Sequence, residues 1–201
     1  MATNPNRRNA RGVWKLKDIQ SFKHDGEYPN GGAIGIFAGG SIGGSHTNVT
    51  DFIQTSSTGN AADFGDLAAN AIGASCTSIP TRTMITGGYE PSLAYSDRMQ
   101  YVTPTTKGNT QDFGNLTAGC GYAAGVSNST RGIQRNGAAP GVNDVTMDTF
   151  VFSSLGNATD FGDITSPGKY GEAAASNSVR GVVGGGRDPN ASPIYINDID
   201  M

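Results

Sequence analysis

The chain has 201 residues, of which 15% are charged and 36% hydrophobic, and a formal net charge of −3. Its 30 glycines argue against a helical protein, because glycine costs about 1 kcal/mol relative to alanine inside a helix. The acidic balance leaves no broad basic face for nucleic acid, and no stretch is apolar for long enough to span a bilayer.

The first residues, "MATNPNRRNARG", have no apolar core and are not expected to act as a signal peptide. The Asn-x-Ser/Thr sequons at Asn48, Asn115, Asn128, Asn157 and Asn190 are then a consequence of Ser/Thr/Asn-rich composition. Arg7, Arg8, Arg11, Lys15 and Lys17 form a local basic cluster. It reads as a solvated arm or as a docking arm for an acidic partner surface. Trp14, Ile19 and Phe22 follow as apolar contacts, in a segment that suits a short helix or a docking strand. Residues 1–32 are therefore an arm and a closing or docking segment. Residues 33–201 form a β-repeat domain.

The repeat is visible in two columns. "GNAADFGD" (59–66), "GNTQDFGN" (108–115) and "GNATDFGD" (156–163) open 49 and 48 residues apart. Arg82, Arg131 and Arg180 recur at intervals of 49, each opening a short run: "RTMITGG", "RGIQRNG" and "RGVVGGG". A looser first copy, "AIGIFAGG" (33–40), has Ala33 in the arginine column. The units run near 33–81, 82–130, 131–179 and 180–201. Each reads as strand, Gly-rich turn, longer strand, Gly-Asn turn, Asp-Phe-Gly turn, then one or two short strands. No stretch shows helical periodicity, and alternation of period two appears at Val145, Met147 and Val151. Such a unit has the size and strand count of a propeller blade. The fold class expected is all-β, a kelch-like β-propeller of about four blades.

The fourth copy stops at Met201, inside its long strand; by residue count Asp198 takes the place of Gln100. The N-terminal segment or a neighbouring chain would complete the array and cover its open strand edges.

Asp-Phe-Gly also occurs in protein kinases, where it binds magnesium. Three copies, with neither a His-Arg-Asp loop nor a Gly-rich nucleotide loop, exclude that role. The repeated residues read as architecture. Phe64, Phe113 and Phe161 are anchors between neighbouring sheets. Gly65, Gly114 and Gly162 permit positive φ. Asp63, Asp112 and Asp160 accept amides in Asx-type turns. Arg82, Arg131 and Arg180 pair with a repeated aspartate such as Asp66 or Asp163. A calcium site is the alternative for the aspartates, but the ligand spacing of a strong calcium loop is absent. No cofactor and no metal are expected, and Cys76 and Cys120 read as buried or half-buried thiols.

The pattern "GNATDFGDI … NSVRGVVGGG … INDID", with its leader "RGVWKLKDIQ", resembles kelch-like repeat proteins of bacteriophages, especially marine and cyanobacterial ones. The double glycine after a short strand matches a kelch blade, while the downstream Tyr and Trp of that pattern are missing. Gln134-Arg135-Asn136 stands where copy three would carry glycines. The resemblance implies a structural component of a virion, made in the host cytoplasm and located on the tail or capsid surface. A tail or fibre appendage would present loops for host-surface attachment, its partners being other virion proteins, further copies of itself, and a host glycan or protein. The loops that vary between copies are 41–47, 90–96, 138–143 and 187–193. The alternative is a capsid-decoration or head-fibre protein that stabilises the particle, favoured by the lack of heptads or collagen-like triplets for a stalk. An enzyme acting on polysaccharide is disfavoured. His24 and His46, the two histidines, both lie near the N-terminus, no Gly-x-Ser-x-Gly strand-to-helix elbow is present, and carboxylate pairs such as Asp63/Asp66 recur in each unit rather than occupying two different environments.

Overall fold

In the computed structural model, residues 34–91, 94–137, 145–165, 169–188 and 195–201 are described. The basic arm (Arg7, Arg8, Arg11 and Trp14) and the closing segment lie outside them. The described residues fall into two units, residues 34–35 with 53–60 and residues 36–52 with those from 61 onward. In the first, the amide of Ser57 donates to the Gln54 carbonyl and closes a turn. The second carries the sheets.

The described chain is all-β and antiparallel. The first sheet joins β1 (Ile34–Ile42), β2 (Ser45–Gln54) and β3 (Ala62–Asp66). Gly43 and Gly44, at φ +58° and +86°, turn β1 into β2 as a two-residue hairpin requires. The second joins β4 (Ser75–Ile79) and β5 (Arg82–Thr86), then, past a small hairpin of β6 (Tyr89–Glu90) and β7 (Ala94–Tyr95), β8 (Arg98–Val102) and β9 (Gln111–Asn115). The third joins β10 (Ala124–Ser127), β11 (Arg131–Arg135), β12 (Thr146–Val151) and β13 (Thr159–Asp163). The fourth has β14 (Ala173–Ser176), β15 (Gly181–Gly184) and β16 (Ile199–Asp200). Each full sheet is a four-strand meander that begins one strand before the arginine column, so a sequence unit opening at Arg82 starts on the second strand.

Register corrects the alignment of the last copy. Thr86 pairs Met99, Arg135 pairs Met147 and Gly184 pairs Ile199. Asp200, not Asp198, therefore occupies the Gln100 and Asp148 position. The connection before it is two residues longer than in the second sheet, so counting from the arginine fails.

Asp-Phe-Gly is not a turn but a bulged strand. Thr50 pairs Gly65 while Asp51 pairs Asp63, which leaves Phe64 unpaired. The same slip leaves out Phe113 and Phe161. A bulge bends the strand and re-aims the extra side chain. Gly65, Gly114 and Gly162 follow it at φ +149°, +147° and +122°.

The anchors report their surroundings. Phe64 and Phe113 are each 3% exposed. Phe64 sits with Leu67, Ala71, Ile85 and Val102; Phe113 sits with Met84, Met99, Phe150 and Phe152. The rings of Phe113, Phe150 and Phe152 meet edge to face, with centroids 6.0 and 5.5 Å apart. Each buried phenylalanine contributes about 1.5–3 kcal/mol. Phe161 departs from the expectation: it is 46% exposed, and among the described residues it joins neither core cluster, whereas Phe113 packs against Phe150 and Phe152 of the next repeat.

In the arginine column, Arg82 ties two sheets together without a carboxylate. Arg82 lies 4.3 Å from the Tyr101 ring centroid and 5.7 Å from that of Phe113, and donates to the carbonyl of Phe152 in the next sheet. Among the described residues, none of Arg82, Arg131 and Arg180 forms an ion pair with Asp66 or Asp163. Guanidinium stacked on rings stays attached to a half-buried site that a strongly hydrated pair would have to desolvate. Arg131 and Arg180 are exposed, and Arg131 borders a recess of about 220 Å³ with Thr149, Val151 and Asn157. The backbone amides of Arg131 and Arg180 donate to Asn128 and Asn177 Oδ1, both at 2.8 Å. The cysteines also separate. Cys120 is buried, whereas Cys76 is exposed, since β4 alternates with Ser75 and Thr77 inward.

Equivalent loops dock on equivalent sheets. The amides of Gly40 and Gly88 donate to the carbonyls of Ala71 and Cys120, at 2.9 and 2.7 Å. An added Cβ on Gly39 or Gly87 would fall 2.5 or 2.6 Å from those oxygens, so the double glycine is required. Copy three lacks the pair. There the side chain of Arg135 donates to the matching carbonyl of Lys169 and, fully buried, forms an ion pair with Glu172 at 2.6 Å. A second column works alike. Gln100 Oε1 accepts the Ala68 amide at 3.0 Å and Asp148 Oδ2 accepts the Thr117 amide at 2.9 Å. The Thr117 hydroxyl donates to Asp148, as the Thr165 hydroxyl donates to Asp200.

Candidate functional site

The connections between second and third strands, and those between one sheet and the next, meet at one end of the sheets. The amides and carbonyls of Ile72 and Tyr89 exchange hydrogen bonds at 3.1 and 2.8 Å, and those of Tyr170 and Arg187 at 3.1 and 3.0 Å. Arg187 bridges in turn to Tyr195. These pairings hold the loops in place and carry aromatic side chains into one row.

In the row, the His46 and Tyr89 rings lie 5.8 Å apart and Tyr89 and Tyr95 lie 5.1 Å apart, both edge to face. Tyr122 and Tyr170 lie 6.2 Å apart, and the Arg187 guanidinium is 5.5 Å from the Tyr170 centroid and donates to its hydroxyl. Gly121 links the two groups, since a Cβ there would meet the Tyr95 ring at 3.0 Å. Burial pushes the Tyr95 phenol above its ordinary value, and the neighbouring phenols of Tyr122, Tyr89 and Tyr170 add to the shift. The hydroxyl stays protonated at neutral pH and can donate.

Tyr122 stands apart. It has φ +54° and is the one non-glycine residue with positive φ among the described residues. The residues 49 positions to either side, Gly73 and Gly171, hold the same conformation at φ +65° and +71° with no steric penalty. A bulky residue in that region is an outlier, and such strain concentrates at functional sites. Its ring lies over Gly73, whose absent Cβ would sit 2.7 Å from it, and the residue is 36% exposed.

The arrangement offers flat apolar ring faces, phenolic donors and acceptors, and one cation. That chemistry suits binding of a flat or polyhydroxylated ligand. Among the described residues, no group of three His, Cys, Asp or Glu side chains gathers to hold a metal ion. The repeated aspartates, Asp63, Asp112 and Asp160, are exposed on the bulged strands, and Asp160 Oδ1 accepts the Gly162 amide at 2.9 Å in the expected Asx turn.

Of the variable loops, 41–47 contributes His46, 90–96 contributes Tyr95 and 187–193 contributes Arg187; 138–143 lies outside the described residues. Tyr122 and Tyr170 come from the sheet-to-sheet connections, which sequence reasoning passed over. An aromatic residue in a glycine column was the available signal. No protein-family model matches the chain, and no curated protein sequence matches it.

Proposed function

We propose that the chain is a structural component of a bacteriophage virion, a tail or fibre appendage that holds its tyrosine-lined loop end toward a ligand on the host surface. In this reading the sheets are blades of a kelch-like propeller. The nearly constant repeat length, the meander order of strands, and docking between equivalent positions support it, together with the resemblance of the repeats. The observation that carries the binding role is Tyr122, kept in a conformation that its glycine counterparts adopt freely, at the centre of the aromatic row.

The test is binding of the purified chain to an array of bacterial surface polysaccharides and outer-membrane proteins. Specific binding that Tyr95→Ala and Tyr122→Gly abolish, with both variants folded, is the expected result. Binding unaffected by either substitution would sink the assignment of this surface.

A further inference from the structure

Each bulged strand meets the following repeat through one recurring contact. The Gly108 amide donates to the Phe64 carbonyl at 2.8 Å and the Thr110 amide to the Asp66 carbonyl at 2.9 Å. The Asp66 amide donates to Asn109 Oδ1 at 3.1 Å. One repeat later, the Gly156 amide donates to the Phe113 carbonyl and the Ala158 amide to the Asn115 carbonyl, both at 2.8 Å, while the Asn115 amide donates to Asn157 Oδ1 at 3.0 Å. The backbones come so close that a Cβ on Gly65 or Gly114 would fall 2.4 or 2.3 Å from Gly108 or Gly156.

Both halves of this contact occur a third time, apart. The β13 edge presents Phe161, 46% exposed, and Gly162, whose Cβ position has nothing within 4 Å. Leu155 and Val151 add exposed apolar surface on the same sheet. The complementary turn is Gly59-Asn60-Ala61, also exposed. Gly59 has φ +155°, close to the +141° and +149° of Gly108 and Gly156, and nothing lies within 4 Å of its Cβ position.

We propose that a second copy of this chain docks head to tail on the β13 edge through its Gly59-Asn60-Ala61 turn. The Gly59 amide donates to the Phe161 carbonyl, the Ala61 amide to the Asp163 carbonyl, and Asn60 Oδ1 accepts the Asp163 amide. The ring of Phe161 meets Ile53, which occupies the column of Val102 and Phe150. The occupant is a second copy because the surface continues an interface that the chain already makes twice with itself, in the same residue types and the same backbone conformation. The contact is heterologous, so successive copies close a ring or extend a filament.

The experiment is light scattering on the full chain over a concentration series, with Phe161→Asp and Asn60→Ala. Both side chains are exposed, and circular dichroism checks that each variant folds. The wild-type mass rises with concentration toward multiples of the chain mass. Each variant weakens association by about tenfold or more, as loss of one buried contact implies. An equimolar mixture of the two regains a dimer, since Phe161→Asp keeps an intact turn and Asn60→Ala keeps an intact edge. A wild type that stays monomeric throughout, association that Phe161→Asp leaves intact, or a mixture that recovers nothing would each overturn the proposal.

Discussion

Asn157 Oδ1 accepts the backbone amide of Asn115, 42 residues earlier, at 3.0 Å. Asn109 does the same for Asp66. The asparagines of the second and third Gly-Asn pairs thus cap the edge of the preceding sheet, a use the turn itself does not require. Asn157→Ala is expected to lower stability by about 1 kcal/mol, the net worth of one such bond. Urea denaturation of wild type and variant measures it.

Phe113 and Phe161 share a motif and differ in environment. Phe113→Ala empties a buried site between two sheets and should cost about 3–5 kcal/mol. Phe161→Ala, at the exposed bulge, should change the stability of the dilute chain by about 0.5 kcal/mol or less. Thermal unfolding of both variants at low concentration tests the contrast. Equal effects would mean that Phe161 is covered.

Two glycines with nearly the same φ separate strain from contact. Gly108→Ala meets only the backbone penalty, about 1 kcal/mol, because nothing lies near its Cβ position. Gly114→Ala drives a methyl to 2.3 Å from the Gly156 carbonyl oxygen and should cost about 3 kcal/mol or more. Chemical denaturation of the two variants gives the comparison directly.

Tyr122→Gly should leave stability unchanged or raise it by up to about 1 kcal/mol, because glycine relieves the positive φ. Ligand binding should fall in the same variant. A structural tyrosine would give the opposite pattern, lost stability with binding retained.

The ion pair of Arg135 and Glu172 is buried on both sides. Glu172→Ala leaves a guanidinium without its carboxylate and should cost about 3–5 kcal/mol. The double variant Arg135→Met, Glu172→Leu should recover most of that loss, because apolar packing of similar volume replaces two desolvated charges. Thermal midpoints of the single and double variants decide it.

The period of the repeat, its strand character and its two marker columns were legible in the chain, because every copy solves the same local problem with the same residues. Gly-Gly, Gly-Asn and Asp-Phe-Gly recur, and glycine at positive φ leaves a signature in one dimension. Partners across sheets left none. That Asp-Phe-Gly is a bulge, that Arg82 reaches a carbonyl and rings rather than an aspartate, and that Asp200 rather than Asp198 fills the Gln100 column all depend on register. Register is set by pairing between strands distant in sequence. The burial of Phe113 and exposure of Phe161 depend on what lies over each bulge, which a shared Asp-Phe-Gly cannot encode. The tyrosine row likewise exists only once loops from several repeats are brought to one end of the sheets, since no local segment holds more than a part of it.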